Sequence, residues 1–178
     1  MRVFGVAGRR VDAANTARFP LRNIDIVDRR IRDCLQTARP KSVVASAACG
    51  ADLLALKASC DLQIPFRIVL PFPPPVFRAT SVVDRPGDWG ALFDELVSSA
   101  RDTKNLVVLD LNQHDSGAYR ITNGVILHQA LKLAKSDVNI CEAILVWDGH
   151  SYGPEDTTAA FKSSAIEMGM RVREILTS

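Results

Sequence analysis

Residues 42–56 read SVVASAACGADLLAL, and this stretch decides the fold. Ser42, Val43 and Val44 make a compact apolar start that suits a buried strand. Residues 45–49 are all small. Gly50 then opens the run ADLLALKASC, with apolar side chains at Leu53, Leu54, Leu56 and Ala58. That spacing predicts a helix with one face on a core. The order is strand, tight turn, helix. Small residues at Ser46, Ala47, Ala48, Gly50 and Ala51 let a ligand reach the backbone. The free N–H groups of a helix start attract anions. Asp52, in the first turn, complements the same dipole. The plainer alternative is a βα turn whose small residues serve packing alone, since such turns occur in every α/β fold.

Working outward, residues 2–7 predict a first strand, followed by Gly8, Arg9, Arg10 and a polar loop through Arg18. Pro20 suits a helix start. Ile24, Val27, Ile31 and Leu35 form an apolar stripe, so residues 21–38 predict a helix that Pro40 ends. Residues 66–70 predict a third strand. It stops at the sequence PFPPP (71–75), which fits neither a ladder nor a helix interior. A short helical turn is expected at 76–81, a turn at 84–88 and a helix at 89–100. Residues 106–109 predict a fourth strand, 118–134 a long helix and 141–147 a fifth strand. A loop at 148–156, a helix at 157–168 and a strand at 172–175 complete the chain. Apolar strands alternating with helices predict an α/β fold, a doubly wound and mostly parallel six-stranded sheet with helices on both faces.

The 178 residues suit one domain, 1–178. Basic and acidic residues nearly balance, 22 against 20, which gives no case for a nucleic-acid coat or a membrane-surface protein. No stretch approaches the ~20 apolar residues of a membrane span, and residues 1–10 carry no signal-peptide pattern. A soluble, cytoplasmic protein is expected. Cys34, Cys60 and Cys141 fall on apolar faces of predicted elements and read as small core residues in a reducing compartment. Cys49, beside a helix start, stands where a thiol pKa is lowered. His114, His128 and His150 lack metal-ligand spacing, so no metal site is expected.

Ligands of such sheets bind outside the carboxyl ends of the strands, at the switch point in strand order. Four loops therefore carry the functional reading: GRR, ASAACGAD, PFPPP (opening on Pro71) and DGHSYGPEDTT. All four should meet at one edge.

These motifs, in the order GVAGRR, SAACGADLLAL, IVLPFPPPVFRATSV, YRITN and ILVWDGHSYGPEDTT, resemble the SLOG superfamily, named for Smf/DprA and LOG proteins. The resemblance implies a Rossmann-like sheet in the order 3-2-1-4-5-6 and a nucleotide or nucleotide-derived ligand. LOG members hydrolyse the N-glycosidic bond of nucleoside monophosphates, and other members only bind nucleotides. The matching LOG loop reads PGGxGTxxE, with glycines at the phosphate and a catalytic Glu. Here Gly153 and Pro154 are followed by Glu155 and Asp156 in place of two glycines, and no carboxylate stands one turn into the helix. Thr157 and Thr158 keep hydroxyls at the helix start. Asp148 and Gly149 open the same loop.

Nucleotide binding is thus the leading expectation. An N-glycosidase with Asp52, Glu155 or Asp156 as its carboxylate is the alternative, and a homodimeric interaction module without catalysis is a further one. No cofactor beyond the nucleotide is called for. Arg9 and Arg10 suit bidentate contact with phosphate or a carboxylate. Asp156 is a preferred N-cap residue, or an acceptor for a ribose hydroxyl. Tyr119 and Asn123, four apart on one helix, face the ligand or pair with each other. Trp147 packs in the core or stacks on a base. Arg78, Thr80 and Ser81 stand where they would close over a ligand.

Overall fold

A computed structural model describes residues 2–13 and 16–178. The polar loop after the first strand is described except for Ala14 and Asn15, which with Met1 lie outside the described residues. In chain order the elements are β1 (Val3–Gly8), α1 (Ile24–Ala38), β2 (Ser42–Ala45), α2 (Ala51–Asp61), β3 (Phe66–Leu70), α3 (Pro74–Ser81), α4 (Gly90–Asp102), β4 (Leu106–Val108), α5 (Ala118–Leu133), β5 (Cys141–Trp147), α6 (Thr157–Glu167) and β6 (Arg171–Leu176). Single 3-10 turns precede α1 and β5. The expected helical turn at 76–81 is a two-turn helix that begins inside the proline run. Pro74 and Pro75 occupy its first turn, where missing N–H groups cost nothing.

All six strands are parallel, in the order β4-β3-β2-β1-β5-β6. The expected order 3-2-1-4-5-6 is corrected here. β4 continues outward past β3, and β5 takes the place beside β1. The switch point still falls at β1, now between β1 and β5. The chain returns across the sheet through α5, which packs on β1, β2 and β3.

Side chains on each strand alternate between two cores. Phe4, Val6, Val43, Ala45, Ile68, Leu70, Ile144 and Val146 face α1, α2, α3 and α4. Val3, Ala7, Val44, Val69, Ala143 and Leu145 face α5 and α6. Buried on both faces, these strands are predominantly apolar, with Arg67 and Glu142 as the charged exceptions in β3 and β5. α1 buries Val27, Ile31 and Leu35 along one stripe and ends at Arg39, in the left-handed region at φ 43°. α2 lies against α1, α4 and the sheet, and is buried nearly all round from Ala51 to Ser59. A helix so enclosed carries small and apolar residues on every face. Among the described residues no helix is long and apolar enough to cross a membrane.

The cysteines depart from expectation. Cys141 and Cys49 are buried, but Cys34 is half-buried and Cys60 is exposed. Cys60 sits in the last turn of α2, on its exposed side.

Candidate functional site

The loops after β1, β2 and β5 converge with α3 and α5 at the carboxyl edge of the sheet. A crevice of about 80 Å³ opens there. Gly8 and Arg10 line it from β1 and its loop; Ser46, Ala48 and Asp52 from the turn into α2; Tyr119, Thr122 and Asn123 from α5; Thr157 and Thr158 from α6. Phe77 closes one side. Ala48 and Thr157 therefore share one wall-to-wall space. Thr122 joins the site without a chemical signature of its own in the sequence. Its signal was its position, three residues after Tyr119 and thus on the same helix face.

The close approach of these loops depends on two glycines. A Cβ on Gly8 would stand 2.3 Å from the Val146 carbonyl oxygen and 2.6 Å from the Ala51 Cβ. Gly50 has φ +98°, and a Cβ there would meet the Arg9 oxygen and the Val11 nitrogen at 2.8 Å. The Ala51 N–H donates to the Arg9 carbonyl (3.1 Å) and the Cys49 N–H to the Ser81 carbonyl (3.0 Å). Ala47 and Ala51 are fully packed. Small residues in this turn hold α2 against the β1 loop and α3.

Arg9 is enclosed by its own chain. It grips Asp156 with two parallel bonds, Nη1 to Oδ1 at 2.7 Å and Nη2 to Oδ2 at 2.9 Å. Its Nε donates to Asp148 Oδ1 at 2.9 Å, and Nη2 donates also to the His150 carbonyl at 2.6 Å. The guanidinium lies 5.2 Å from the Tyr152 ring centroid and 5.9 Å from that of Trp147. Burial opposes ionisation of Asp156, but bonds from Arg9 and from the Ala159 and Tyr152 amides outweigh it and hold the carboxyl below its ordinary range. Asp148 is held low in the same way, by Tyr152 and Arg9 against burial.

Asp156 also caps α6, accepting from the Thr158 and Ala159 N–H groups at 3.0 and 3.1 Å. A carboxylate of the protein thus holds the amides at which a phosphate would dock. Gly149 and Gly153, at φ +84° and +102°, carry the loop around this cluster, and Glu155 is exposed.

Arg10 pairs with Asp84 across a half-exposed contact, and its Nε is buried without a hydrogen-bond partner. Asp52 is buried at the crevice wall. Burial pushes its carboxyl up to about 7, against the Ala48 N–H, which donates to Oδ2 at 3.2 Å, and the charge of Arg10. Burial also raises the Cys49 thiol, more than Arg10 lowers it, so the expected lowering does not occur.

Tyr119 and Asn123 do not pair with each other. The Tyr119 hydroxyl and Ser81 Oγ are hydrogen-bonded at 2.8 Å, and its ring stands edge-on to Phe72 at 5.7 Å. Asn123 Nδ2 donates to the Thr157 carbonyl at 2.9 Å, tying α5 to α6. Pro71 is buried at the end of β3, and its carbonyl accepts from Leu111. Arg78 is engaged with Asp94 and Thr80 bonds back to Val76, so neither reaches over the crevice. Trp147 is buried and donates to Glu174 at 2.8 Å, which favours its core reading. Among the described residues no three His, Cys, Asp or Glu side chains stand together as a metal site.

The chain is similar to the crystal structure of DNA processing protein A (DprA) from Streptococcus pneumoniae, with a TM-score of 0.57 and 15% identity. The chain carries a DprA-like fold. The similarity covers 97% of this chain and 49% of DprA, so the chain spans about half of the DprA length. No protein-family model matches the chain. No curated protein matches its sequence.

Proposed function

We propose that the crevice of this DprA-like fold binds a nucleotide or nucleotide-derived ligand. One observation carries the reading: Arg10, Asp52, Tyr119, Thr157 and Thr158 converge from four separate elements at the β1–β5 switch point. Its 80 Å³ is below the ~300 Å³ where small-molecule pockets begin. The crevice therefore takes one part of the ligand, and the rest lies over the rim formed by Phe77 and the loop after β5. Because Asp156 holds the α6 amides, a phosphate turns instead to the Arg10 guanidinium at the crevice wall and to the Thr157 hydroxyl. Asp52 accepts from a ribose hydroxyl. Calorimetry against mono-, di- and cyclic nucleotides tests this. A saturable response weakened about tenfold by Arg10→Gln is expected. Folded protein that stays silent across the panel refutes it.

The enzymatic reading, hydrolysis of a nucleoside monophosphate at its N-glycosidic bond, narrows to one carboxyl. Glu155 is exposed and Asp156 is bound by Arg9, whereas Asp52 titrates near neutrality at the crevice wall. A group with its pKa near the working pH is suited to carry a proton. Free base released by the wild type and not by Asp52→Asn supports this reading; release that survives the substitution removes Asp52 from it.

Exposed Ile121 on α5 and Ile166 on α6, 46% and 57% accessible, favour a third reading, a homodimer through adjacent helices. Light scattering decides it. The near balance of charge argues against a single-stranded DNA role.

A further inference from the structure

A hollow of about 320 Å³ opens between α1, α2 and the start of α4 and shares no residue with the crevice. Its floor is apolar, made by Ile24, Leu54, Leu92 and Trp89. Its rim is acidic, with Asp25, Asp28 and Asp88 set against the single ammonium of Lys57.

These charges are poorly matched within the protein. Lys57 Nζ is drawn to Asp61 at 2.8 Å. Arg32 Nε donates to Asp28 Oδ2 at 2.6 Å, but Asp28 Oδ1 is buried without a partner. Asp25 and Asp88 have no ion-pair partner among the described residues. The aromatic wall is fixed. Trp89 Nε1 donates to the Pro86 carbonyl at 2.8 Å, and Gly87, at φ +107°, lets the turn lie against the indole. A Cβ on Gly87 would stand 2.4 Å from Nε1. A wall set in advance spares a ligand the cost of ordering it.

We propose that this hollow binds an aliphatic polyamine, with protonated nitrogens on Asp25 and Asp88 and methylenes along Leu54, Leu92 and Trp89. The volume is at the low end for small-molecule pockets and holds about ten water-sized groups, the scale of a short polyamine. A bare divalent cation is a poorer occupant, because it needs about six oxygen ligands and the floor offers none. The proposal is independent of the crevice.

Calorimetry of the whole chain with spermidine, at about 0.15 M ionic strength to suppress loose surface attraction, tests it. One saturable event is expected. The double substitution Asp25→Asn, Asp88→Asn should weaken it about tenfold or more, and Lys57→Met should tighten it about threefold. Magnesium should bind at least about tenfold more weakly than spermidine. No saturation, equal affinity for magnesium, or unchanged affinity in the double variant overturns the proposal. Should circular dichroism show the double variant unfolded, Lys57→Met decides alone: an affinity equal to or below that of the wild type overturns it.

Discussion

Replacing Arg9 by Met isolates the ion cluster beside the crevice. The methionine keeps much of the stem and removes the charge. Asp148 and Asp156 are left with side chains only 8% and 2% exposed. Breaking a buried pair by removing one partner costs about 3–5 kcal/mol. For a domain of this size that lowers the melting temperature by roughly 10 °C. The pH dependence is more specific. In the wild type both carboxyls are held below the ordinary value of about 3.9. Their contribution is complete above that value and is lost as pH falls through the lowered folded-state values. In the variant the guanidinium is gone and burial remains, so both carboxyls move upward. Protonation then relieves the variant on acidification. Urea unfolding followed by circular dichroism should show the largest gap from wild type near pH 7 and a narrowing gap toward about pH 4. A loss under about 1 kcal/mol near pH 7 would place this cluster with surface ion pairs. A gap that stays constant with pH would show that lost packing, not charge, carries the effect. Either result refutes the reasoning.

Asp52→Asn should act with the opposite sign. Its carboxyl is raised to about 7, so wild-type stability falls as pH rises from about 4 to 7, and the Asn variant escapes that fall. The gain near pH 8 has an upper bound of about 4 kcal/mol, and denaturant titration at two pH values reads it. Gly8→Ala and Gly50→Ala should each cost about 2 kcal/mol or more, from the contacts at 2.3 and 2.8 Å, as seen by thermal melting. Tyr119→Phe should cost about 1 kcal/mol through the lost Ser81 bond. A thiol reagent should modify Cys60 fast, Cys34 slowly, and Cys49 and Cys141 only on unfolding, as peptide mapping would show.

The period of the apolar residues made the strands and helices readable. Phe66–Leu70 and Cys141–Trp147 are apolar apart from Arg67 and Glu142, each the second residue of its strand, because both faces of the sheet are covered. Strand order was less legible, since no local signal tells whether the strand at 106 pairs with β1 or lies beyond β3. The crevice was largely legible too, because strand ends in this topology share one edge. The state of its charges was not. Arg9 and Arg10 are adjacent in sequence, yet one is fastened to carboxylates 139 and 147 positions away and the other keeps an unpartnered nitrogen. The PFPPP run reads as helix-breaking until its last two prolines are placed in a first turn.

The central position of β1 has a consequence for synthesis. One side of it pairs with Ser42–Ala45, soon after it emerges, but the other waits for Cys141–Trp147. A growing chain can assemble the four-stranded half with an apolar, hydrogen-bonding margin still uncovered. Such a margin is a template for wrong partners, and closing it demands one very long loop. Refolding should therefore pass through a sticky, half-sheeted species, whose lifetime shortens at low protein concentration and whose disappearance coincides with docking of the last third of the polypeptide.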